Sequence, residues 1–178
     1  MKHHVLLAGL AAAFMVAPAF AAEGSGGFIR AEAGNSNLSI DGYDGNDTAY
    51  GVRGGYFFNG NVGVEAFYTN FGKDSDSGLT AELDGYGVGI VGKKNMTAAH
   101  QGFFVGGRVG VAHVNLDASL AGFGSVSDSS NRVYLGGEIG YDFNENIGLS
   151  LDVNHVRPQV FGDTIRVTTA TLGFEYRF

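Results

Sequence analysis

Apolar and polar residues alternate with a period of two along much of the chain. In residues 132–143 the odd positions are apolar or glycine, whereas the even positions include Arg132, Glu138 and Asp142. The alternation returns at the C-terminal end, where one face carries Ala170, Leu172, Phe174, Tyr176 and Phe178. Because successive side chains of a strand point to opposite faces, this pattern predicts strands with one apolar and one polar face.

The same pattern predicts eight strands. Their expected bounds are 28–36, 48–58, 62–71, 80–91, 103–116, 129–143, 147–156 and 165–178. About ten residues of a tilted strand cross a bilayer, and outer-membrane barrels have short periplasmic turns and longer external loops. We therefore predict an all-β, eight-stranded antiparallel transmembrane up-and-down β-barrel with both termini in the periplasm.

The connections between these strands alternate in character. Those at 59–61 and 144–146 are tight and the one at 92–102 is longer, and we assign all three to the periplasm. The connections at the opposite end are rich in Gly, Ser, Asp and Asn. This composition predicts loops at 37–47, 72–79, 117–128 and 157–164. Outward aromatics near the turn side predict half of an aromatic girdle: Tyr56, Phe103, Tyr141, Phe143, Tyr176 and Phe178.

The N-terminus has the features of a secretory signal peptide. Lys2 precedes an apolar run over residues 5–17, and Ala19-Phe20-Ala21 is a small-x-small cleavage site. We expect a cleaved signal peptide at 1–21 and an outer-membrane barrel domain at 22–178. No later apolar run approaches the roughly 18 residues of a membrane helix, which excludes a helical inner-membrane protein.

Charge and composition narrow the function classes. The net charge is −7, and removal of Lys2 with the signal peptide makes it −8, which argues against nucleic-acid binding. The absence of Cys excludes disulfides and thiolate metal sites, and we predict no cofactor. Asp41, Asp44 and Asp47 crowd one loop and could hold calcium, but they lack EF-hand spacing, and a solvated acidic loop is the alternative.

A ten-residue pattern occurs twice, at 55–64 and at 140–149. Both copies read G-Y-x-F-N-x-N-Φ-G-Φ, where Φ is apolar, and both straddle a tight turn. These units resemble hairpins of the OmpA/OmpX-like small outer-membrane β-barrel family, and the run 171–178 resembles that family's last strand. The resemblance implies a Gram-negative outer-membrane location and makes Phe174, Tyr176 and Phe178 the signal read by the barrel-assembly machinery. It also implies a non-enzymatic structural and surface-interaction role: membrane integrity, adhesion, or host or phage contact through loops.

The inward positions carry charges of both signs. They are Arg30, Glu32, Arg53, Glu65, Arg108, Glu138, Asp152, Glu175 and Arg177. Side chains nearly fill an eight-stranded lumen, and opposite charges in a low dielectric should pair. We expect a plug of ion pairs in which Glu138 contacts Arg108 on the neighbouring strand. The alternative is a narrow gated channel for small ions or solutes.

The histidines are the remaining candidates for catalysis. His155 is followed by Val156 and Arg157 rather than by the Ser that the outer-membrane lipid A deacylases pair with their His. No triad is recognisable, and we expect no enzyme activity.

Strand parity places Arg157, Arg166 and His113 outward at the extracellular headgroup level. Arginine donates a fork of N–H groups suited to phosphate, so we expect contact with outer-membrane lipids and lipopolysaccharide. The alternative is that both arginine side chains are solvated or form ion pairs with Asp163.

Overall fold

The protein is a closed antiparallel β-barrel. The computed structural model describes residues 24–40, 43–76, 79–97, 101–120, 124–160 and 163–178. The barrel strands are β1 (Gly26–Ile40), β2 (Tyr43–Phe57), β3 (Val62–Asp76), β4 (Leu79–Asn95), β5 (Gly102–Leu120), β6 (Gly124–Asp142), β7 (Ile147–Val156) and β10 (Arg166–Arg177). Between β7 and β10 lies a small hairpin of β8 (Gln159–Val160) and β9 (Asp163–Thr164). The predicted fold class is confirmed. The described residues contain no helix long and apolar enough to cross a membrane.

Consecutive strands pair, and the barrel closes where β1 meets β10. The closing ladder runs from Phe28 opposite Arg177 to Ser39 opposite Arg166. Beyond it, the backbone N–H groups of Gly27 and Phe178 each donate to the other's carbonyl at 2.9 Å. We call this end of the barrel, where β1 begins and β10 ends, the terminal end. The opposite end, where β8 and β9 lie, is the loop end.

The two repeated hairpins share their turn chemistry. The side-chain oxygens of Asn59 and Asn144 each accept hydrogen bonds from the backbone N–H groups two and three residues later, at 2.8–2.9 Å. The side chains of Asn61 and Asn146 each donate to a backbone carbonyl of an adjoining strand. An Asx-type turn of this kind fixes the hairpin locally, which accounts for the repeated N-x-N.

The strands extend further towards the loop end than the sequence predicts. β5 and β6 each contain 19 residues, roughly twice the length that spans a bilayer. Most of residues 37–47, 72–79 and 117–128, which the sequence predicts as loops, is therefore strand, and the predicted loop bounds there were wrong. Beyond the bilayer both faces of a hairpin contact water, so polar residues on both faces are compatible with continued pairing.

Aromatic side chains border an apolar outer band at both ends. The six predicted aromatics lie at the terminal end, where Tyr56 is half-buried and the other five are exposed. A second row near the loop end contains Tyr50, Tyr68 and Tyr86, and Tyr68 lies directly opposite Tyr86 across the β3–β4 ladder. Such paired belts mark the two membrane interfaces. Sequence reasoning missed the second belt because each strand contributes a single Tyr.

Candidate functional site

Period-two alternation brings a charged layer into the middle of the lumen. Arg30 of β1 and Arg108 of β5 are 1% and 4% exposed and lie against three carboxylates from β6, β7 and β10. Asp152 Oδ1 is 2.9 Å from Arg30 Nη1 and 2.7 Å from Arg108 Nη2, and Glu138 contacts both guanidiniums. Arg30 Nε donates to Glu175 Oε2 at 3.1 Å. This network thus links five strands, and Glu138 contacts Arg30 as well as Arg108.

A second layer lies on the loop side of the first. Arg53 Nε is 3.0 Å from Glu32 Oε1, and Arg53 Nη1 is 2.7 Å from Glu65 Oε1. The Tyr134 hydroxyl donates to Glu65 Oε1 at 2.6 Å, and the Arg53 guanidinium lies 4.8 Å from the ring centroid of Phe67. Each charged group therefore has an opposite charge or a polar donor beside it.

The terminal end of the lumen has its own ion pairs. Lys93 Nζ lies 2.9 Å from Asp142 Oδ1 and 3.2 Å from Glu175 Oε1, and the Arg177 side chain contacts Asp142. Lys93 and Asp142 are additions to the predicted set. The predicted fourth strand ended at Val91, yet extending its inward parity by one step would have found Lys93.

Apolar side chains close the lumen above the charged layers. The cluster contains Phe67, Phe71, Leu83, Ala112, Val114, Tyr134, Val156, Ile165 and Val167. A cavity of about 20 Å³, bordered by Glu32, Arg53 and Thr171, remains beneath it. That volume accommodates roughly one water molecule. The described side chains therefore fill the interior, as expected for eight strands.

A cationic rim lies on the outer surface at the loop end. Arg157 and Arg166 are exposed, one position beyond the last β7–β10 pair, Val156 opposite Val167. Among the side chains that the structure describes, neither guanidinium forms an ion pair with a carboxylate. Arg157 Nε instead donates to His155 Nε2 at 3.0 Å. Within the described side chains the rim is therefore a cationic cluster without a carboxylate partner, and the side chain of Asp163, the alternative partner, lies outside them.

His113 lies apart from these two arginines, on β5. Its Nδ1 is 2.7 Å from Asn131 Oδ1, and its ring centroid is 5.1 Å from that of Tyr86. The structure thus brings Arg157 and Arg166 together and leaves His113 in the Tyr belt.

Comparison with known proteins identifies the family. The family model for the outer membrane protein β-barrel domain matches residues 6–178. The chain belongs to this family. Membership in this family places the barrel in an outer membrane, and its recognition as a small outer-membrane barrel is confirmed. A search of curated proteins gave no match.

Solved structures agree with this assignment. Neisserial surface protein A matches with a TM-score of 0.75 at 12% identity, covering 86% of this chain and 99% of that one. Ail, the attachment invasion locus protein of Yersinia pestis, was solved with the heparin analogue sucrose octasulfate. It matches with a TM-score of 0.62 at 21% identity, again covering 86% and 99%. OprG of Pseudomonas aeruginosa scores 0.58 at 16% identity, covering 86% and 96%. Such low identities establish a shared fold only.

The other predicted sites of the outer-membrane barrel lie partly within and partly outside the described residues. Phe174, Tyr176 and Phe178 are exposed along the outer face at the terminal end. Asp41 of the possible calcium loop and the signal peptide at 1–21 lie outside the described residues. Within the described part of the chain, no group of three or more His, Asp or Glu residues is placed to hold a metal.

Proposed function

We propose that this outer-membrane barrel is a non-enzymatic structural and surface-interaction protein. Its termini lie in the periplasm, and the hairpins at the loop end project outside. The filled lumen carries this proposal, because ion-pair layers and an apolar cluster occupy the space that a diffusion pore would need. Long external hairpins provide surface for adhesion or for host and phage contact.

The cationic rim supports lipopolysaccharide as a partner. Arg157 and Arg166 lie beyond the apolar band, at the level where the outer leaflet carries lipid phosphates. Each guanidinium offers several N–H donors to a phosphate group. Ail was solved with a heparin analogue, so a sulfated host glycan is the alternative occupant of the same cations.

The test compares thermal stability with and without lipopolysaccharide. We expect lipopolysaccharide to raise the unfolding temperature of the wild type in phosphate-free neutral detergent, and the double variant Arg157→Gln, Arg166→Gln to lose most of that increase. Lys73→Gln is a matched control, because Lys73 is also exposed near the loop end but lies 3.8 Å from Glu82. Full stabilisation of the double variant would refute the lipopolysaccharide contact.

A narrow gated channel is the second candidate. The observation that favours it is that some polar atoms of the plug are not hydrogen-bonded. Glu65 Oε2, Arg108 Nε and Glu138 Oε1 are buried and have no hydrogen-bond partner among the residues that the structure describes. A partly satisfied network can rearrange at lower cost than a fully satisfied one. Brief, small openings in planar bilayers would support this candidate, whereas a silent membrane supports the plug.

A further inference from the structure

The cationic rim includes a histidine that sequence reasoning left without a role. His155 lies on the outer face of β7, two residues before Arg157, and opposite Thr168 of β10. Its Nδ1 is 2.9 Å from Thr168 Oγ1, and its Nε2 accepts the hydrogen bond from Arg157 Nε at 3.0 Å. The imidazole therefore connects β7, which ends just before Arg157, with β10, which begins at Arg166.

These contacts fix the tautomer of His155. A guanidinium N–H can only donate, so Nε2 must be an acceptor and the ring must be neutral with its proton on Nδ1. That proton faces the Thr168 hydroxyl, which can accept it. Both ring nitrogens therefore form hydrogen bonds. The bond to Thr168 of β10 fixes the ring plane, and the bond from Arg157 fixes the guanidinium.

The backbone beside this contact is also restrained. Arg157 precedes Pro158, which confines Arg157 to extended backbone conformations. The Ile165 N–H donates to the Pro158 carbonyl at 3.0 Å, and both of these side chains are buried at the loop end of the barrel. Arg157 and Arg166 therefore stand on either side of a short, closed connection.

We propose that His155 is a positioning residue, which orders the Arg157 guanidinium for a lipid phosphate. With Nε engaged, the Nη1 and Nη2 groups of Arg157 remain without a partner among the described residues. Two oxygens of one phosphate can accept from such a pair. Because the side chain is already ordered, less conformational entropy is lost on binding. This inference rests on the proposed lipopolysaccharide contact.

The test measures the apparent affinity for purified lipopolysaccharide by thermal-shift titration in neutral, phosphate-free detergent. His155→Leu removes the acceptor, and we expect binding about 2- to 10-fold weaker. His155→Gln retains a side-chain carbonyl that can accept from Arg157 Nε, so we expect near wild-type affinity. Thr48→Leu is the control, because Thr48 is also a polar residue of the outer face near the loop end but lies on β2, away from both arginines. It should bind as wild type does.

Three results would overturn the inference. Unchanged affinity of His155→Leu would remove any positioning role, and equal losses in His155→Leu and His155→Gln would show that the acceptor does not matter. Equal affinity for inorganic phosphate and lipopolysaccharide phosphate would contradict a lipid ligand.

Failure of the proposed lipopolysaccharide contact can be distinguished from failure of the positioning role. If the double arginine variant also keeps wild-type affinity, the lipopolysaccharide contact itself is wrong. If that variant loses affinity while His155→Leu does not, only the positioning role fails. The mobility of unheated His155→Leu on a gel shows whether this variant is folded. If it is not, the comparison of His155→Gln with the wild type still tests the positioning role.

Discussion

Removal of the Glu138 carboxylate is the sharpest perturbation of the lumen network. Glu138 contacts both Arg30 and Arg108, and its side chain is fully enclosed. Deleting one partner of a buried ion pair costs about 3–5 kcal/mol, because it leaves an uncompensated charge. Asp152 remains beside both guanidiniums, at 2.7 and 2.9 Å. We therefore expect Glu138→Ala to lower the free energy of unfolding by about 3 kcal/mol, the lower end of that range.

A double-mutant cycle in urea unfolding of the lipid-reconstituted barrel measures the coupling. Groups in one network couple by about 0.5–3 kcal/mol, and we expect about 2 kcal/mol between Glu138→Ala and Arg108→Ala. The exposed pair Lys73 and Glu82, 3.8 Å apart, is the control and should couple by only about 0.2–1 kcal/mol. Additive effects of the two lumen substitutions would refute the pairing, whatever their individual sizes.

Gel mobility, membrane assembly and urea unfolding test three other features of the barrel. The closed barrel should migrate faster on SDS gels before heating than after, since no strand edge is open at the closure; identical migration with helical circular dichroism would contradict the fold. Deletion of Phe178, whose N–H and carbonyl both bond to Gly27, should lower membrane assembly more than deletion of the exposed Ser119; normal levels would argue against an assembly signal. In urea unfolding, Lys93→Ala should lower the free energy of unfolding by about 3–5 kcal/mol, because it breaks a buried ion pair. Lys94→Ala, on the outer face, should lower it by less than about 0.5 kcal/mol. Equal effects would exclude a buried ion pair at Lys93.

Alternation along single strands predicts which residues face the lumen and, between neighbouring strands, the contact of Glu138 with Arg108, but it does not predict contacts across the lumen. Arg30 and Arg108 were identified as inward from parity alone, because a period of two fixes the face of every residue in a strand. The contact of Arg30 with Glu138 depends instead on the stagger of two strands, β1 and β6, that are distant in sequence and do not pair in the barrel. Nothing in the local pattern of β1 indicates that Arg30 reaches β6.

At the loop end, amino-acid composition predicts loops where the structure has strands. Gly, Ser, Asp and Asn in residues 117–128 are typical of loops, yet β5 and β6 continue through most of this range as paired strands. Their outer positions lie beyond the bilayer, so selection for apolar residues there is absent. The bond between His155 and Arg157 was within reach of the sequence, because residues two apart share a strand face. Its anchor on Thr168 required the β7–β10 register.

Conductance across a planar bilayer tests the central claim most directly. The purified, folded barrel is inserted into a bilayer bathed in potassium chloride, and current is recorded under an applied voltage, with Glu138→Ala recorded alongside. A lumen filled by ion pairs and the apolar cluster predicts no steady current from the wild type. A large, steady, voltage-independent conductance from the wild type would contradict the plug and establish an open pore.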